Sequence, residues 1–379
     1  MNIISSIKTA RRAWAEIDLD ALCHNVRQIN SNLPHGCELM AVVKTDAYGH
    51  GLEQVAKRLW NEGVRSFAVA TAAEGVLLRR CGVRGSCLVL GYTPISEART
   101  LYRNNLEQLI VDGAHAKALN DAKYRIKVHV AVDTGMHRLG IEPENLDEIE
   151  SVFQCEYLTV AGIATHLASS DGQKDDDINF TEMQIKNFYE TVGALQEKGY
   201  DTGKLHIQSS YGIYNYPELQ CDYVRAGIML YGVMGYNSKT RIKPDLHPVL
   251  SLHAGIVQIK WLKAGESVSY GRIYKTDKPT KVAIVSIGYA DGVPRTVSGN
   301  GGTCIVNGVK VPIIGRVCMD FLMVDVTDVV SVVPGDIATL IGRVGDVEIR
   351  CEDLAEAAGT ITNDIFTGLS SRVERVYLG

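Results

Sequence analysis

Short apolar runs alternate with stretches of helical periodicity over more than 200 residues of this 379-residue chain. Leu22, Val26, Ile29 and Leu33 recur at helical spacing, and Pro34 follows them. Leu39-Met40-Ala41-Val42-Val43 is then a continuous apolar run of strand length. Leu52, Val55, Leu59 and Trp60 mark a second helix, closed by Gly63. The alternation continues through apolar runs at 67–70, 87–90, 108–111, 128–132, 158–164 and 205–208, with a long helix predicted over 183–197. Strands that alternate with helices build parallel βα units. The number of runs is close to eight, which predicts a (β/α)8 TIM-like barrel over 18–243 in preference to an open doubly wound sheet. In such barrels the chemistry sits at the C-terminal ends of the strands.

From about Pro244 the texture changes. Apolar runs at 249–261, 281–289, 304–311, 321–326 and 336–341 are separated by short turns, and no long helix intervenes before Asp353-Leu354-Ala355-Glu356-Ala357-Ala358. This predicts a mostly β C-terminal domain over 244–379, which an N-terminal strand at 12–17 is expected to join.

Composition excludes several classes. Hydrophobic residues at 46% and charged residues at 22% are ordinary for a soluble globular protein. A net charge of −5 without a basic stripe gives no reason to expect nucleic acid. The nine cysteines are scattered, odd in number and without a CxxC pair, which argues for a reducing compartment and against a structural metal site. No apolar run reaches the roughly 18 to 20 residues needed to span a bilayer, and the first residues are too short and polar for a signal peptide. The chain as it stands is therefore expected to be cytoplasmic.

Lys44 stands out against this background. It follows the apolar run directly and precedes a glycine-studded turn. A strand buried on both faces has no use for a cation unless its end opens into a cavity. Taken alone, Lys44 fits equally a side chain that has reached solvent; at the end of a barrel strand it stands where chemistry belongs.

AVVKTDAYGHG (41–51) resembles the cofactor-lysine motif of alanine racemases, which use pyridoxal 5'-phosphate. Further stretches resemble the same family in the same order: VDTGMHRLG (132–140), ATHLASSD (164–171), HIQSS (206–210), VRAGIMLYG (224–232), SVSYG (267–271), IGYADGVPR (287–295) and GRVCMD (315–320). The resemblance spans nearly the whole chain. It implies that Lys44 holds the cofactor through its amine and acts as one of two bases, with Tyr270 as the other. It also implies a homodimer with a shared active site, into which Tyr270 reaches from the partner subunit.

The resemblance assigns the remaining roles as well. Arg225 faces the pyridine nitrogen, His206 orients Arg225, and His166 lies beside the cofactor. Tyr48, Ser209 and the amides of Gly227 and Ile228 bind phosphate. Arg138 and the backbone of Met319 hold the substrate carboxylate, and Tyr289, Arg295 and Asp171 line the entrance. No metal is implied. Pyridoxal phosphate decarboxylases of the same architecture would need an acid where this chain has Arg225, and single-barrel binding proteins would lack the second domain.

Two positions depart from the family pattern. Many members carry a carbon dioxide-modified lysine at the position of Ala131, which props the substrate-binding arginine. What orients Arg138 here is left open between an anion and another side chain. Within GTITNDIF (359–366), Asn363 stands where alanine racemases typically have a tyrosine beside the substrate side chain. Asn is smaller and offers donors and an acceptor, so the pocket is expected to tolerate the hydroxymethyl group of serine. This change is similar to the serine racemases of vancomycin-resistance systems, whose racemase domain follows a membrane-embedded half. The expected activity is interconversion of L- and D-serine and of L- and D-alanine for cell-wall precursors, from a cytosolic domain that belongs to a membrane-anchored protein. An ordinary alanine racemase is the alternative.

Overall fold

The computed structural model describes residues 11–235 and 239–379. Strand β1 (Ala13–Asp18) leads into helix α1 (Leu19–Ser31), where the Asp18 carboxylate caps the helix by accepting from the Ala21 N–H at 2.8 Å. Eight parallel strands follow: β2 (Glu38–Val42), β3 (Ser66–Val69), β4 (Ser86–Val89), β5 (Glu107–Ile110), β6 (Ile126–Ala131), β7 (Leu158–Ala164), β8 (Lys204–His206) and β9 (Tyr223–Ala226). Their order in the sheet is β8-β7-β6-β5-β4-β3-β2-β9. Between β9 and β8 the ring is drawn together by Arg225 N–H to Gln208 O (3.0 Å), Asp222 N–H to Leu205 O (2.8 Å) and a parallel bridge of Ser209 with Arg225. The result is the TIM-like barrel that the alternation predicts.

Helices α2 (Leu52–Asn61), α3 (Ala72–Arg80), α4 (Ala98–Arg103), α5 (Gly113–Asp121), α6 (Leu146–Phe153), α7 (Asp175–Glu197) and α8 (Ser210–Asn215) connect the strands. Helix α2 buries Leu52, Val55, Ala56 and Leu59, one stripe at a spacing of three to four, while β3 is buried at every position. Helix α7 begins well before the predicted residue 183, with Asp175, Asp176 and Asp177 in its first turn, where negative charge complements the helix dipole.

The C-terminal part is a nine-stranded sheet with two short helices. Its elements are β10 (Leu250–Leu262), the small pair β11 (Ser267–Val268) and β12 (Tyr274–Lys275), β13 (Thr280–Val285), β14 (Thr303–Val306), β15 (Val309–Ile314), β16 (Leu322–Asp325), β17 (Ile337–Val344), β18 (Val347–Ile349), α9 (Cys351–Ala358), α10 (Thr362–Gly368) and β19 (Glu374–Leu378). The large sheet runs β18-β17-β14-β15-β16-β13-β10-β1-β19. Strand β1 pairs antiparallel with β10 and parallel with β19, so both ends of the described chain meet in this sheet.

The run at 304–311, predicted as one strand, is a hairpin. Asn307 (φ 48°) and Gly308 (φ 77°) turn the chain with two left-handed residues, the geometry that matches the twist of a tight hairpin. Strand β9 was not separately predicted, because a buried arginine interrupts its short apolar run. Among the described residues, no helix is long and apolar enough to cross a membrane.

Candidate active site

The segment after β2 carries unusual backbone. Thr45, Asp46, Ala47 and Tyr48 all have φ between 52° and 54°. A left-handed turn of L-residues is unfavourable by roughly 1–2 kcal/mol per residue, so neighbours must hold it. Buried His50 does so from within, with Nδ1 donating to Ala47 O (3.1 Å) and Tyr48 O (2.9 Å). The Glu74 carboxylate accepts from Thr45 N–H at 2.6 Å, and Asp46 accepts from Leu52 N–H at 2.7 Å. Arg375, on β19, donates through Nε to Gly49 O at 3.0 Å. Backbone strain of this kind persists where the surroundings over-determine it, and such places cluster at functional sites.

The turn presents Lys44 to a cavity of about 530 Å³ at the C-terminal ends of the barrel strands. Tyr48, Arg138, His166, Ser209, Arg225, Gly227, Ile228 and Asn363 line the same cavity. His206 lies behind it, fully buried against Arg225. Asn363 arrives from the C-terminal part because α10 packs on the Lys44 turn. Tyr270, Met319 and Tyr289 do not line this cavity; they are 66%, 51% and 41% exposed on the C-terminal part of the same chain. Asp171 and Arg295 are also exposed and outside the cavity lining.

The electrostatics are one-sided. Lys44, Arg138 and Arg225 face the cavity, and the lining acid Asp133 is engaged with the N–H groups of Gly135 (3.0 Å) and His137 (2.9 Å). Burial, then the charge of Arg138, lowers the Lys44 amine below its ordinary value, against an opposing pull from Glu74. Burial and the cations Arg225, Arg138 and Lys44 push His166 down to about 3, so its ring is neutral. Arg225 donates through Nη1 to His206 Nδ1 (2.8 Å) and His206 O (2.7 Å), and through Nη2 to Thr165 O (2.5 Å). Burial, with Arg138 adding to it, lowers Arg225 to about 10, which leaves it charged at neutral pH.

Tyr48 and Gly227 form a close pair. A Cβ on Gly227 would come within 2.5 Å of the Tyr48 hydroxyl, so only glycine admits that hydroxyl beside the backbone after β9. Burial pushes Tyr48 up to about 12, which keeps the hydroxyl a donor. The Gly227 N–H donates to Ser210 Oγ at 3.0 Å, which places Ser210 beside the cavity as well. Sequence reasoning did not single out Ser210, His50 or Arg375; the first two lie inside quoted motifs, whereas nothing local marks Arg375. Ala131 sits in the lining with only a methyl group to offer Arg138.

Residues 17–235 match the family model described as alanine racemase, N-terminal domain, and residues 249–377 match alanine racemase, C-terminal domain. The chain belongs to the alanine racemase family. An amino-acid racemase of Enterococcus faecalis and a serine/alanine racemase of Enterococcus gallinarum are 40% and 38% identical over 96% of this chain. The chain spans about half of each, 51% of their length. An alanine racemase of Carboxydothermus hydrogenoformans is 40% identical over 97% of this chain and 100% of its own. The solved alanine racemase of Bartonella henselae, with covalently bound pyridoxal phosphate, superposes with a TM-score of 0.85 at 29% identity, over 97% of this chain and 100% of its own.

Pyridoxal 5'-phosphate is the cofactor of this family, and the residues here fit it. A lysine amine pushed toward its neutral, nucleophilic form suits an aldehyde. The cations Arg138 and Arg225 and the Tyr48–Gly227 pair suit an anionic ligand. A decarboxylase of this architecture would set an acid where Arg225 stands.

Proposed function

We propose that this chain is a pyridoxal phosphate-dependent racemase of serine and alanine, working as a homodimer with two bases. The observation that carries the reading is the placement of Lys44: a half-buried amine, pushed toward neutrality, in a cavity ringed by Arg138 and Arg225. When bound, pyridoxal phosphate supplies the electron-withdrawing ring that lets the substrate Cα–H ionise.

The chain's own groups do the rest. Tyr48, Ser209 and the amides of Gly227 and Ile228 would hold the phosphate, with the Gly227 N–H shared with Ser210 Oγ. Arg225 stays charged and acts only as a donor, so it would hold the ring nitrogen of a bound cofactor without giving it a proton. His206 orients Arg225, and His166 would lie beside the cofactor as a neutral imidazole. Arg138 takes the substrate carboxylate in its planar fork, joined by the backbone of Met319. Lys44 moves the proton at one face of Cα and Tyr270 of the partner subunit moves it at the other. The exposure of Tyr270, Met319 and Tyr289, away from the Lys44 cavity of their own chain, supports a site completed by a second subunit.

Asn363 supports serine as a substrate. Identity does not separate the two substrates, since relatives named alanine racemase and serine/alanine racemase match about equally. The amide in the cavity lining favours serine, because it leaves room and polar partners for a hydroxymethyl group. The D-amino acids so formed would serve cell-wall precursors, with vancomycin resistance as the setting. Chiral analysis of L-serine and L-alanine incubated with the purified protein and pyridoxal phosphate tests the reading. Inversion of both is expected, with serine at least as good a substrate. Inversion of alanine alone would leave an ordinary alanine racemase, and inversion of neither would defeat the proposal.

A further inference from the structure

Behind Arg225 a line of polar side chains crosses the inside of the barrel from strand to strand. His206 Nδ1 meets Arg225 Nη1 at 2.8 Å, and His206 Nε2 meets His129 Nδ1 at 2.8 Å. His129 Nε2 meets Glu107 Oε2 at 3.1 Å, and the same oxygen accepts from Ser86 Oγ at 2.8 Å. These residues lie on β9, β8, β6, β5 and β4 in turn. Strand β7 stands between the two histidines and contributes Gly162, in register with His129. A Cβ there would sit 2.5 Å from His129 Nδ1, so the glycine opens the path along which the histidines bond.

The direction of every bond in this line is fixed. A guanidinium donates and never accepts, so His206 Nδ1 must accept. A neutral His206 then carries its proton on Nε2 and donates to His129 Nδ1. A neutral His129 in turn carries its proton on Nε2 and donates to the Glu107 carboxylate. Burial, then the charge of Arg225, holds His206 well below the usual imidazole range. Burial raises the Glu107 carboxyl, but effects led by the bond from His129 outweigh it and leave Glu107 ionised. The line does not conduct protons, because it ends on a guanidinium that gives none up. It is an anchor.

We propose that Glu107 and His129 are positioning residues: Glu107 locks His129 as the Nε2–H tautomer, whose free Nδ1 accepts from His206 Nε2–H and so holds His206, and with it Arg225, in place in the cavity. This rests on the racemase reading only in what Arg225 does there. A tautomer fixed by the bond on the far nitrogen is a general device for histidines that serve a site.

The test reads tautomers and turnover separately. In the full chain with ¹⁵N-histidine, loaded with pyridoxal phosphate and stripped of it, nitrogen chemical shifts should show Nδ1 unprotonated and Nε2 protonated on both His129 and His206. A proton on Nδ1 of His206 in the unsubstituted protein overturns the proposal, with no variant needed. Glu107→Leu should mix the tautomers of His129 and lower kcat roughly tenfold or more, with KM nearly unchanged. Glu107→Gln keeps a carbonyl acceptor for His129 and should restore both the tautomer and most of kcat. A folded Glu107→Leu protein that keeps the original His129 tautomer, or the original kcat, overturns the proposal. Because the tautomers are read without turnover, failure of the racemase reading does not decide that arm.

Discussion

The α-carbon of Gly49 lies so close to the Phe366 carbonyl that a Cβ on Gly49 would come within 2.2 Å of that oxygen. Gly49 closes the left-handed turn that begins at Lys44, and Phe366 lies on α10, one turn beyond Asn363. The contact therefore joins the amine end of the cavity to its proposed specificity end. His50 completes the joint: its ring stacks on Tyr231 at 4.3 Å and meets the Phe366 edge at 4.8 Å.

Gly49→Ala should loosen both ends at once. The residue has φ +77°, where an L side chain is strained, and the clash is with backbone, which cannot swing aside. A loss of about 2 kcal/mol or more is expected, placing this among severe single substitutions. Urea unfolding of the purified variant measures it, and a midpoint equal to that of the unsubstituted protein would show that the turn and α10 are not coupled.

Acid should weaken the same joint through His50. Burial pushes its imidazole down to about 4, below the usual 6.5. Above pH 6.5 the ring is neutral in both folded and unfolded chains and adds no pH dependence. As pH falls from 6.5 toward 4, the unfolded chain takes up a proton that the folded chain refuses, so stability is lost with falling pH. The loss is at most about 3 kcal/mol for this one group. His50→Gln, which keeps a donor for the Ala47 and Tyr48 carbonyls, should flatten the stability profile over that window. Thermal melts of both proteins from pH 4 to 8 provide the comparison, and parallel profiles would contradict it.

Much of the barrel is legible in the chain because a strand buried on both faces must be an uninterrupted apolar run, as at Leu39–Val43. Strand β9 is less legible for the same reason: Arg225 breaks its run, and the partners that make it tolerable, His206 and Thr165, lie elsewhere in sequence. The left-handed turn is not legible at all. Thr45, Asp46, Ala47 and Tyr48 carry no local signal for positive φ, and what imposes it comes from His50, Glu74 and, more than 300 residues away, Phe366 and Arg375. The motif stretches mark the cavity lining well, but the Glu107–His129 line falls outside them, because a histidine and a glutamate inside strands look like ordinary interruptions until the strands are side by side.

The choice of substrate should turn on Asn363. Asn363→Tyr fills space in the cavity and removes an amide, so kcat/KM for serine should fall relative to alanine, by roughly tenfold or more if the amide bonds the hydroxyl. If the amide merely leaves room, the change will be smaller, since a pocket with space alone discriminates weakly. The ratio of the two kcat/KM values, taken in both proteins, is the measurement; an unchanged ratio would separate Asn363 from specificity.

A site shared between subunits makes a sharper demand. Lys44→Ala should abolish the cofactor's bound visible absorbance together with activity, because among the described residues no other lysine lines the cavity. Tyr270→Phe should keep that absorbance and lose most racemisation, since the hydroxyl proposed to serve the second face is gone. Each homodimer is then inactive for a different reason. In a mixed dimer, one of the two sites receives Lys44 from one chain and Tyr270 from the other, while the second site lacks both. Random exchange of equal amounts should make about half of the dimers mixed, with one competent site in each, so activity should return to about a quarter of that of the unsubstituted enzyme. Exchange is followed by tagging one variant, and racemisation is assayed after mixing. If mixed dimers form and activity stays at background, Tyr270 does not cross between subunits.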